Sequence, residues 1–234
     1  MIGERLHFFH REKLSKVHRD DLAVLVNFSL MPKPNQSCIC VFCGSADGVD
    51  PIYAHTAKEL GQRIAASGMG LVYGGATMGL MGILADAALA GGAEVIGVMP
   101  DVLMDREIAH RGVTHFHVVK TMHERKALMY EHADAFIALP GGYGTLDEFI
   151  EIVTWALLKI HQKPCILINM NGYYDGFLAF LDHAMSQGFI KSEARKLIQV
   201  TRDVEAALAI AQSHWEAQPI KAPVDAKLDE LIGR

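Results

Sequence analysis

From residue 37 onward, short apolar runs rich in β-branched residues alternate with longer segments of helical periodicity. The runs that predict strands are CICVFCGS, GLVYGG, EVIGVMP, HFHVV, AFIALPGG, PCILIN and LIQVT. The segments that predict helices are PIYAHTAKELGQRIAAS, MGLMGILADAALAGG, TMHERKALMYEHA, TLDEFIEIVTWALLKI, YYDGFLAFLDHAMSQ and DVEAALAIAQSHWEA. Continuously apolar strand runs are typical of strands that are buried on both faces. The alternation therefore predicts an α/β fold, a parallel sheet with helices on both sides, in which ligands bind at the carboxyl ends of the strands.

Half of the 234 residues are hydrophobic, which is enough for one large core. We expect a single domain over residues 37–217 and a loosely held C-terminal tail over residues 218–234. Residues 1–36 stand apart, because REKLSKVHRDDLAVLVNFSL has the pattern of one amphipathic helix before the breaker segment MPKPNQS. This N-terminal extension is either an interface arm or a dispensable segment ahead of a natural start at Met31.

The net charge of −5 offers no basic field to nucleic acid, so an anionic substrate must be held by local groups. The cysteines Cys38, Cys40, Cys43 and Cys165 are unevenly spaced and do not make a disulfide framework, which fits a reducing cytoplasm. We interpret the first three as core residues of a buried strand rather than as metal ligands. The N-terminus has no apolar signal segment and LAVLVNFSLM is too short to cross a bilayer, so we expect neither export nor membrane insertion.

Three glycine-rich turns fall at predicted strand-to-helix junctions, at residues 44–45, 74–79 and 141–145. Glycine lets backbone N–H groups approach a ligand, and the helix that follows points its positive end at the same place. A single turn of this kind is explained as well by the need for a tight bend. Three turns that converge at one edge of a sheet favour an anion site, and phosphate is the anion that such a site suits.

Other phosphate and metal motifs do not match. No glycine turn supplies the lysine of a Walker loop. After Gly142 and Gly144, Asp147 occupies the position of the third glycine of a dinucleotide fingerprint. In HERKA, Ala127 stands where a zinc-binding H-E-x-x-H motif has its second histidine. The sequence therefore argues against NAD and against a zinc pair.

Arg125 lies on the apolar stripe of a predicted helix, together with Met122, Met129 and His132. An uncompensated buried charge costs several kcal/mol, so this arginine must be paired or must line a cavity. Two interpretations are open. Either the side chain snorkels or joins an internal ion pair, or its planar fork contacts a phosphate or a sugar oxygen.

Glu148 presents a similar choice. Thr145 and Glu148 have the spacing of a capping box, in which the glutamate only closes the first turn of a helix. Alternatively, the positive end of the helix keeps the carboxylate ionised beside a bound sugar phosphate. There it would stabilise an oxocarbenium-like carbon and orient water.

The segment MHERKA at 122–127, followed by LPGGYGTLDE at 139–148, resembles the LONELY GUY family of cytokinin riboside 5′-monophosphate phosphoribohydrolases, formerly often labelled possible lysine decarboxylases. The similarity extends through FCGS, YGGATMGLMG, GVMP and REIAH and covers roughly residues 37–215. The resemblance implies a Rossmann-like, doubly wound sheet of about six or seven strands, a homodimer, and no metal or organic cofactor. It also implies the reaction, hydrolysis of the N-glycosidic bond of a nucleoside 5′-monophosphate to free base and ribose 5-phosphate.

By its motifs, the resemblance implies Arg125 and Glu148 as the catalytic pair. The substrate contacts that it implies are Ser45, Gly75, Glu107, Lys126, Gly141, Gly142, Tyr143, Gly144, Thr145 and Asp147. Among these, the segment 141–145 would wrap the 5′-phosphate. Two positions depart from the family pattern, since Asp147 replaces a second glutamate of many members and Ala76 replaces a common third glycine. Both departures concern ligand detail rather than the class of reaction.

Two other functions remain open at this stage. A non-catalytic carrier of the same fold would bind a nucleotide or cofactor without releasing base. A pyridoxal phosphate-dependent decarboxylase would need a Schiff-base lysine, and Lys126, the lysine of the motif, has no recognisable cofactor setting. The helix predicted over residues 145–160 is apolar nearly all round, which indicates burial within the subunit or in the dimer interface that the resemblance implies.

Overall fold

The computed structural model describes residues 36–104 and 108–217, which form seven strands and seven α-helices. The predicted N-terminal extension, apart from Gln36, and the predicted tail over residues 218–234 lie outside the described residues. One predicted substrate contact, Glu107, lies outside them as well.

All seven predicted strands are present and form one parallel sheet in the order β4-β3-β2-β1-β5-β6-β7. Their bounds are β1 Cys38–Phe42, β2 Gly70–Tyr73, β3 Val95–Pro100, β4 His115–Val119, β5 Ala135–Ala138, β6 Cys165–Ile168 and β7 Ile198–Thr201. Every residue of the five inner strands is buried, as their continuous apolar runs predict. The edge strands β4 and β7 are partly exposed.

The helices follow the predicted order. Their bounds are α1 Pro51–Ala66, α2 Gly79–Ala90, α3 Met122–His132, α4 Tyr143–Leu157, α5 Asp175–Ser186, α6 Ser192–Arg195 and α7 Val204–Ala217. The short helix α6 was not predicted. Local signals explain two of the starts: Asp50 caps α1 by accepting from the N–H of Ile52, and Thr121 caps α3 by accepting from the N–H of Glu124.

Helices cover both faces of the sheet, so the predicted three-layer arrangement is confirmed. One core cluster joins odd-numbered residues of β1 and β2, such as Ile39 and Leu71, to the buried faces of α1, α2 and α7. Helices α3 and α4 contact the central strands and place their buried residues outside that cluster. Because successive side chains of a strand point to opposite faces, α3 and α4 cover the other side of the sheet.

The order in which strands are added to the sheet reverses between β1 and β5. From β1 the chain builds outward to β4, and then it returns to place β5 on the free side of β1. The loops after β1 and β5 therefore lie side by side: the Gly44 N–H donates to Pro140 O at 3.0 Å, and the Leu139 N–H donates to Phe42 O at 2.9 Å. A switch point of this kind opens a crevice at the carboxyl ends of the strands, which is where ligands bind in such sheets.

Helices α1 and α2 pack closely because Gly61 has no side chain. A Cβ at this position would meet Leu84 O of α2 and would lie 2.9 Å from Ala87 Cβ. Both helices cover the same face of the sheet.

We expect Gly61→Ala to lower the free energy of unfolding by about 1–3 kcal/mol, because overpacking outweighs the gain in helix propensity. The matched control is Gly176→Ala in the first turn of α5, where a Cβ meets nothing within 4 Å. The control should raise stability by about 0.5 kcal/mol. Urea unfolding followed by circular dichroism measures both, and equal stability of the two variants would contradict this account of the packing.

Candidate active site

The turn after β5 leads directly into α4, and its backbone requires glycine at Gly141. A Cβ on this residue would collide with the Thr145 side chain and would lie 2.9 Å from the Gly44 amide nitrogen. Gly142 is the N-cap of α4 and makes no side-chain capping bond. The first N–H groups of a helix have no intrahelical acceptor and carry the positive end of its dipole. The backbone amides of the predicted anion site therefore lie at the switch point of the sheet.

The capping-box interpretation of Glu148 is wrong. A capping box needs Thr145 at the N-cap, but α4 begins two residues earlier, at Tyr143. Thr145 is therefore the third residue of the helix and is buried, and Glu148 lies in its second turn. Glu148 is 8% exposed, so it is buried even though it does not cap the helix.

Arg125 lies at the carboxyl edge of the sheet and does not snorkel to the surface. The residue is 5% exposed. Its Nε donates to Val98 O at 3.1 Å, and its Nη2 donates to Gly74 O at 2.9 Å. A Cβ on Gly74 would collide with Nη2, so the glycine of the second turn provides the space for the guanidinium.

The remaining guanidinium nitrogen of Arg125 faces Glu148. Nη1 lies 3.8 Å from Glu148 Oε1, an ion pair that is too long for a direct hydrogen bond. The internal ion pair that the sequence left open is therefore present, and its two members are the two predicted catalytic residues. Because the charges of this pair balance, the pair itself presents no net positive charge to an anion.

Lys126 joins α3 to α4. Its Nζ lies 3.2 Å from Asp147 Oδ2 and 3.0 Å from Glu151 Oε2. Burial lowers the pKa of Lys126, but hydrogen bonds and charges from Glu151 and Asp147 outweigh that effect and raise the pKa. The structure thus pairs two predicted substrate contacts, Lys126 and Asp147, with each other, and the bridge holds the helix of Arg125 against the helix of Glu148.

The other predicted contacts lie along the same edge. Ser45 is exposed directly after β1, and Gly75 is buried after β2 with a φ of 81°. Tyr143 and Gly144 are exposed in the first turn of α4. The Lys126 bridge links α3, which carries Arg125, to α4, which begins in the segment 141–145 and carries Glu148.

Two tyrosines at this edge were not predicted. The Tyr173 hydroxyl donates to Gly141 O at 2.7 Å, and the Tyr174 hydroxyl donates to Leu139 O at 2.6 Å. Both follow β6, the next strand of the sheet. The available signal was the run NMNGYYD, in which an Asn-Gly turn follows a predicted strand at the same carboxyl edge.

The cysteines are core residues, as predicted. All four are buried thiols outside any disulfide, and Cys38 and Cys40 lie on the face of β1 opposite to Cys43. Burial and the Glu148 carboxylate raise the pKa of the Cys40 and Cys43 thiols, and burial raises the pKa of Cys165 to about 12. Within the described ranges, no three His, Cys, Asp or Glu side chains gather as metal ligands do.

The described helices are all too short or too polar to cross a membrane.

Residues 81–211 match a family model whose description is possible lysine decarboxylase. Three curated relatives are cytokinin riboside 5′-monophosphate phosphoribohydrolases. The Rhodococcoides fascians protein is 47% identical over 186 residues, covering 79% of this chain and 94% of its own. LOG of Oryza sativa is 53% identical over 160 residues, covering 68% of this chain and 66% of its own. LOG4 of Arabidopsis thaliana is 49% identical over 173 residues, covering 74% and 80%.

Solved structures share the fold at lower identity. A molybdenum cofactor carrier protein from Chlamydomonas reinhardtii superposes with a TM-score of 0.57 at 24% identity, covering 76% of this chain and 97% of its own. The molybdenum cofactor binding protein from Rippkaea orientalis gives a TM-score of 0.58 at 23% identity, with 78% and 98% covered. These likenesses support the Rossmann-like architecture.

We expect Arg125→Met to lower the free energy of unfolding by about 3–5 kcal/mol, because it leaves the buried Glu148 carboxylate without the guanidinium. Adding Glu148→Gln to this variant should recover about 1–3 kcal/mol. Urea unfolding of the two single variants and the double variant measures this coupling.

The matched control is a double-mutant cycle on the exposed pair Arg195 and Asp182, whose Nε and Oδ1 lie 2.7 Å apart. Its coupling should be about 0–1 kcal/mol. A coupling between Arg125 and Glu148 that is no larger than in this surface pair would contradict the buried ion pair.

Proposed function

The chain belongs to the LOG family of cytokinin riboside 5′-monophosphate phosphoribohydrolases, and from this premise we propose how the switch-point crevice carries out the hydrolysis. The reaction adds water across the N-glycosidic bond and yields the free adenine-type base and ribose 5-phosphate. The observation that carries the proposal is the buried Arg125–Glu148 pair, with Nη1 and Oε1 3.8 Å apart, beside the glycine turn that opens α4.

The 5′-phosphate binds at the turn after β5. The N–H groups of Gly142, Tyr143 and Gly144 have no hydrogen-bond acceptor among the described residues. These groups and the positive end of α4 suit a phosphate. Fixing the phosphate anchors the ribose, so attack at C1′ becomes a matter of orientation.

Glu148 acts on the sugar. As the base departs, positive charge develops at C1′, and an ionised carboxylate nearby stabilises it and aligns the attacking water. Arg125 contacts the phosphate or ribose side of the substrate and holds Glu148 in place. Its guanidinium is well placed to hold that carboxylate, because two backbone carbonyls already fix its plane.

The site is less suited to the decarboxylase that the description of the family model names. A Schiff base forms from a neutral amine. Lys126 has ion pairs with Asp147 and Glu151, and its pKa is raised, so it remains an ammonium group. The charge of this lysine supports a structural bridge between helices rather than covalent catalysis.

We propose that the working molecule is a homodimer in the cytoplasm. Only Thr145, Glu148, Phe149 and Ile152 of α4 are buried, so packing against the described part of the subunit does not account for its apolar surface. At its C-terminal end, Leu157, Leu158 and Ile160 are each more than half exposed. An exposed apolar surface of this kind fits an interface between subunits. The buried cysteines remain thiols rather than disulfides, which fits a reducing compartment.

Glu148→Gln and Arg125→Ala should each lower the release of base from N6-isopentenyladenosine 5′-monophosphate by about a hundredfold or more, because each removes a charge that the transition state requires. Chromatography of free base and ribose 5-phosphate measures the reaction. Adenosine, guanosine and cytidine 5′-monophosphates tested in parallel define the preferred base.

The matched control is Glu131→Gln, which makes the same chemical change at an exposed position of α3. It should retain the activity of the unchanged protein. Folded Glu148→Gln protein with full turnover would remove the catalytic role. Binding of monophosphate by the unchanged protein without release of base would indicate the carrier function instead.

Leu158→Glu should convert the dimer to a monomer in light scattering, because it places a charge in the apolar surface at the end of α4. Val118→Glu, on the edge strand β4 at the far side of the sheet, is the control and should leave the mass unchanged. A monomeric unchanged protein at micromolar concentration would contradict the proposal.

A further inference from the structure

Each carbonyl of the turn after β5 has its own donor. The pairs, in order, are Leu139 O with the Tyr174 hydroxyl at 2.6 Å, Pro140 O with the Gly44 N–H at 3.0 Å, Gly141 O with the Tyr173 hydroxyl at 2.7 Å, and Gly142 O with the Leu146 N–H at 3.1 Å. Four consecutive peptide planes are therefore held by hydrogen bonds from three different parts of the chain: the loop after β1, the first turn of α4 and the loop after β6. This arrangement leaves the carbonyl oxygens turned toward the protein.

The direction of each carbonyl decides the direction of the next N–H. A trans peptide is planar, and its C=O and N–H bonds point in opposite directions. The Tyr173 hydroxyl holds the carbonyl of Gly141, so the N–H of Gly142 points away from that tyrosine. The peptide between Gly141 and Gly142 has no Cβ on either side to oppose its rotation. If it turned over, its carbonyl oxygen rather than its N–H would face a bound anion.

Tyr173 is itself held firmly. Its ring makes edge-on contacts with Tyr174, at 4.8 Å between centroids, and with Tyr53, at 5.5 Å. The Tyr174 N–H donates to Asn169 Oδ1 at 2.8 Å, and Asn169 Nδ2 donates to Asp175 Oδ1 at 2.7 Å. The loop that carries both tyrosines is thus fixed by its own side chains.

The same loop is tied to the loop after β1. Asn171 Nδ2 donates to Asp50 Oδ2 at 3.1 Å, and the other oxygen of Asp50 caps α1. Three loops at the carboxyl edge, those after β1, β5 and β6, are therefore joined by hydrogen bonds. A change at Tyr173 acts on the turn through one defined bond.

We propose that Tyr173 is a positioning residue of the substrate's phosphate site: its hydroxyl holds the peptide between Gly141 and Gly142 in the orientation that presents the Gly142 N–H to the phosphate. The proposal rests on the function proposed above and deepens it. Tyr174 has a different part, because the Leu139 carbonyl that it holds precedes Pro140, which has no N–H to direct. The buried Tyr174 fixes the entry to the turn, and Tyr173 directs an amide.

The test is Tyr173→Phe, which removes the hydroxyl and keeps the ring contacts. We expect KM for the nucleoside 5′-monophosphate to rise about fivefold, the factor that one neutral hydrogen bond contributes, with kcat within twofold of the unchanged protein. Calorimetry should show the same weakening for inorganic phosphate and for ribose 5-phosphate. Binding of these two anions is measured without turnover, so the result does not depend on the catalytic step.

Tyr53→Phe is the matched control. It removes a hydroxyl from the same aromatic cluster, and that hydroxyl forms no hydrogen bond to any residue in the described part of the chain. It should leave KM and phosphate affinity unchanged. A merely structural role for Tyr173 would lower the melting temperature in Tyr173→Phe and leave KM and phosphate affinity as they were, which would overturn the proposal.

The two proposals fail in different ways. If the unchanged protein binds phosphate and releases no base, the hydrolase function fails, and the calorimetric comparison still tests Tyr173. If the unchanged protein releases base and Tyr173→Phe binds both anions with unchanged affinity, only the positioning role is overturned.

Discussion

The site depends on the way in which a buried guanidinium is held at the edge of the sheet. Arg125 donates to the carbonyls of Val98 and Gly74 and faces Glu148. Desolvating this charge costs several kcal/mol, and its partners offset the cost only if all of them are in place. They come from β3, from the turn after β2 and from α4, so the arginine requires the close approach of three elements. The arginine also requires glycine at position 74, because a Cβ there would occupy the space of Nη2.

The Arg125–Glu148 pair carries no net charge, so in the proposed function the binding of an anion depends mainly on the backbone. Arg125 and Glu148 balance each other, and Lys126 is already engaged by Asp147 and Glu151. In the proposed function, the phosphate is therefore recognised mainly by directed amides and by the dipole of α4, in a protein whose net charge is −5. Such recognition depends on orientation rather than on total charge. This is why the donors to the turn's carbonyls matter to function.

The sequence predicted what local patterns encode. Continuous apolar runs predicted the inner strands, and the charged Arg125 on an apolar stripe, like Glu148 just after a glycine turn, marked the two residues of the buried pair. Local patterns could not place contacts between distant segments. The capping-box interpretation failed because α4 begins at Tyr143, two residues before Thr145, with Gly142 as its N-cap. Tyr173 was missed because its bond to Gly141 spans 32 residues, and an aromatic residue after a turn has the pattern of ordinary core.

The glycines of the turn are required for different structural reasons, and this difference indicates the kind of ligand. Gly141 is required by the protein itself, since a Cβ there meets the Thr145 side chain. At Gly142 and Gly144 a Cβ would meet nothing within 4 Å. Gly144 lies in the first turn of α4, where alanine in place of glycine should add about 0.5 kcal/mol of stability. No packing contact within the described residues offsets this loss of stability. Neither glycine has a positive φ that would require it. A group that approaches the backbone closely from the open side explains both glycines, and a phosphate held by the first N–H groups of α4 is such a group.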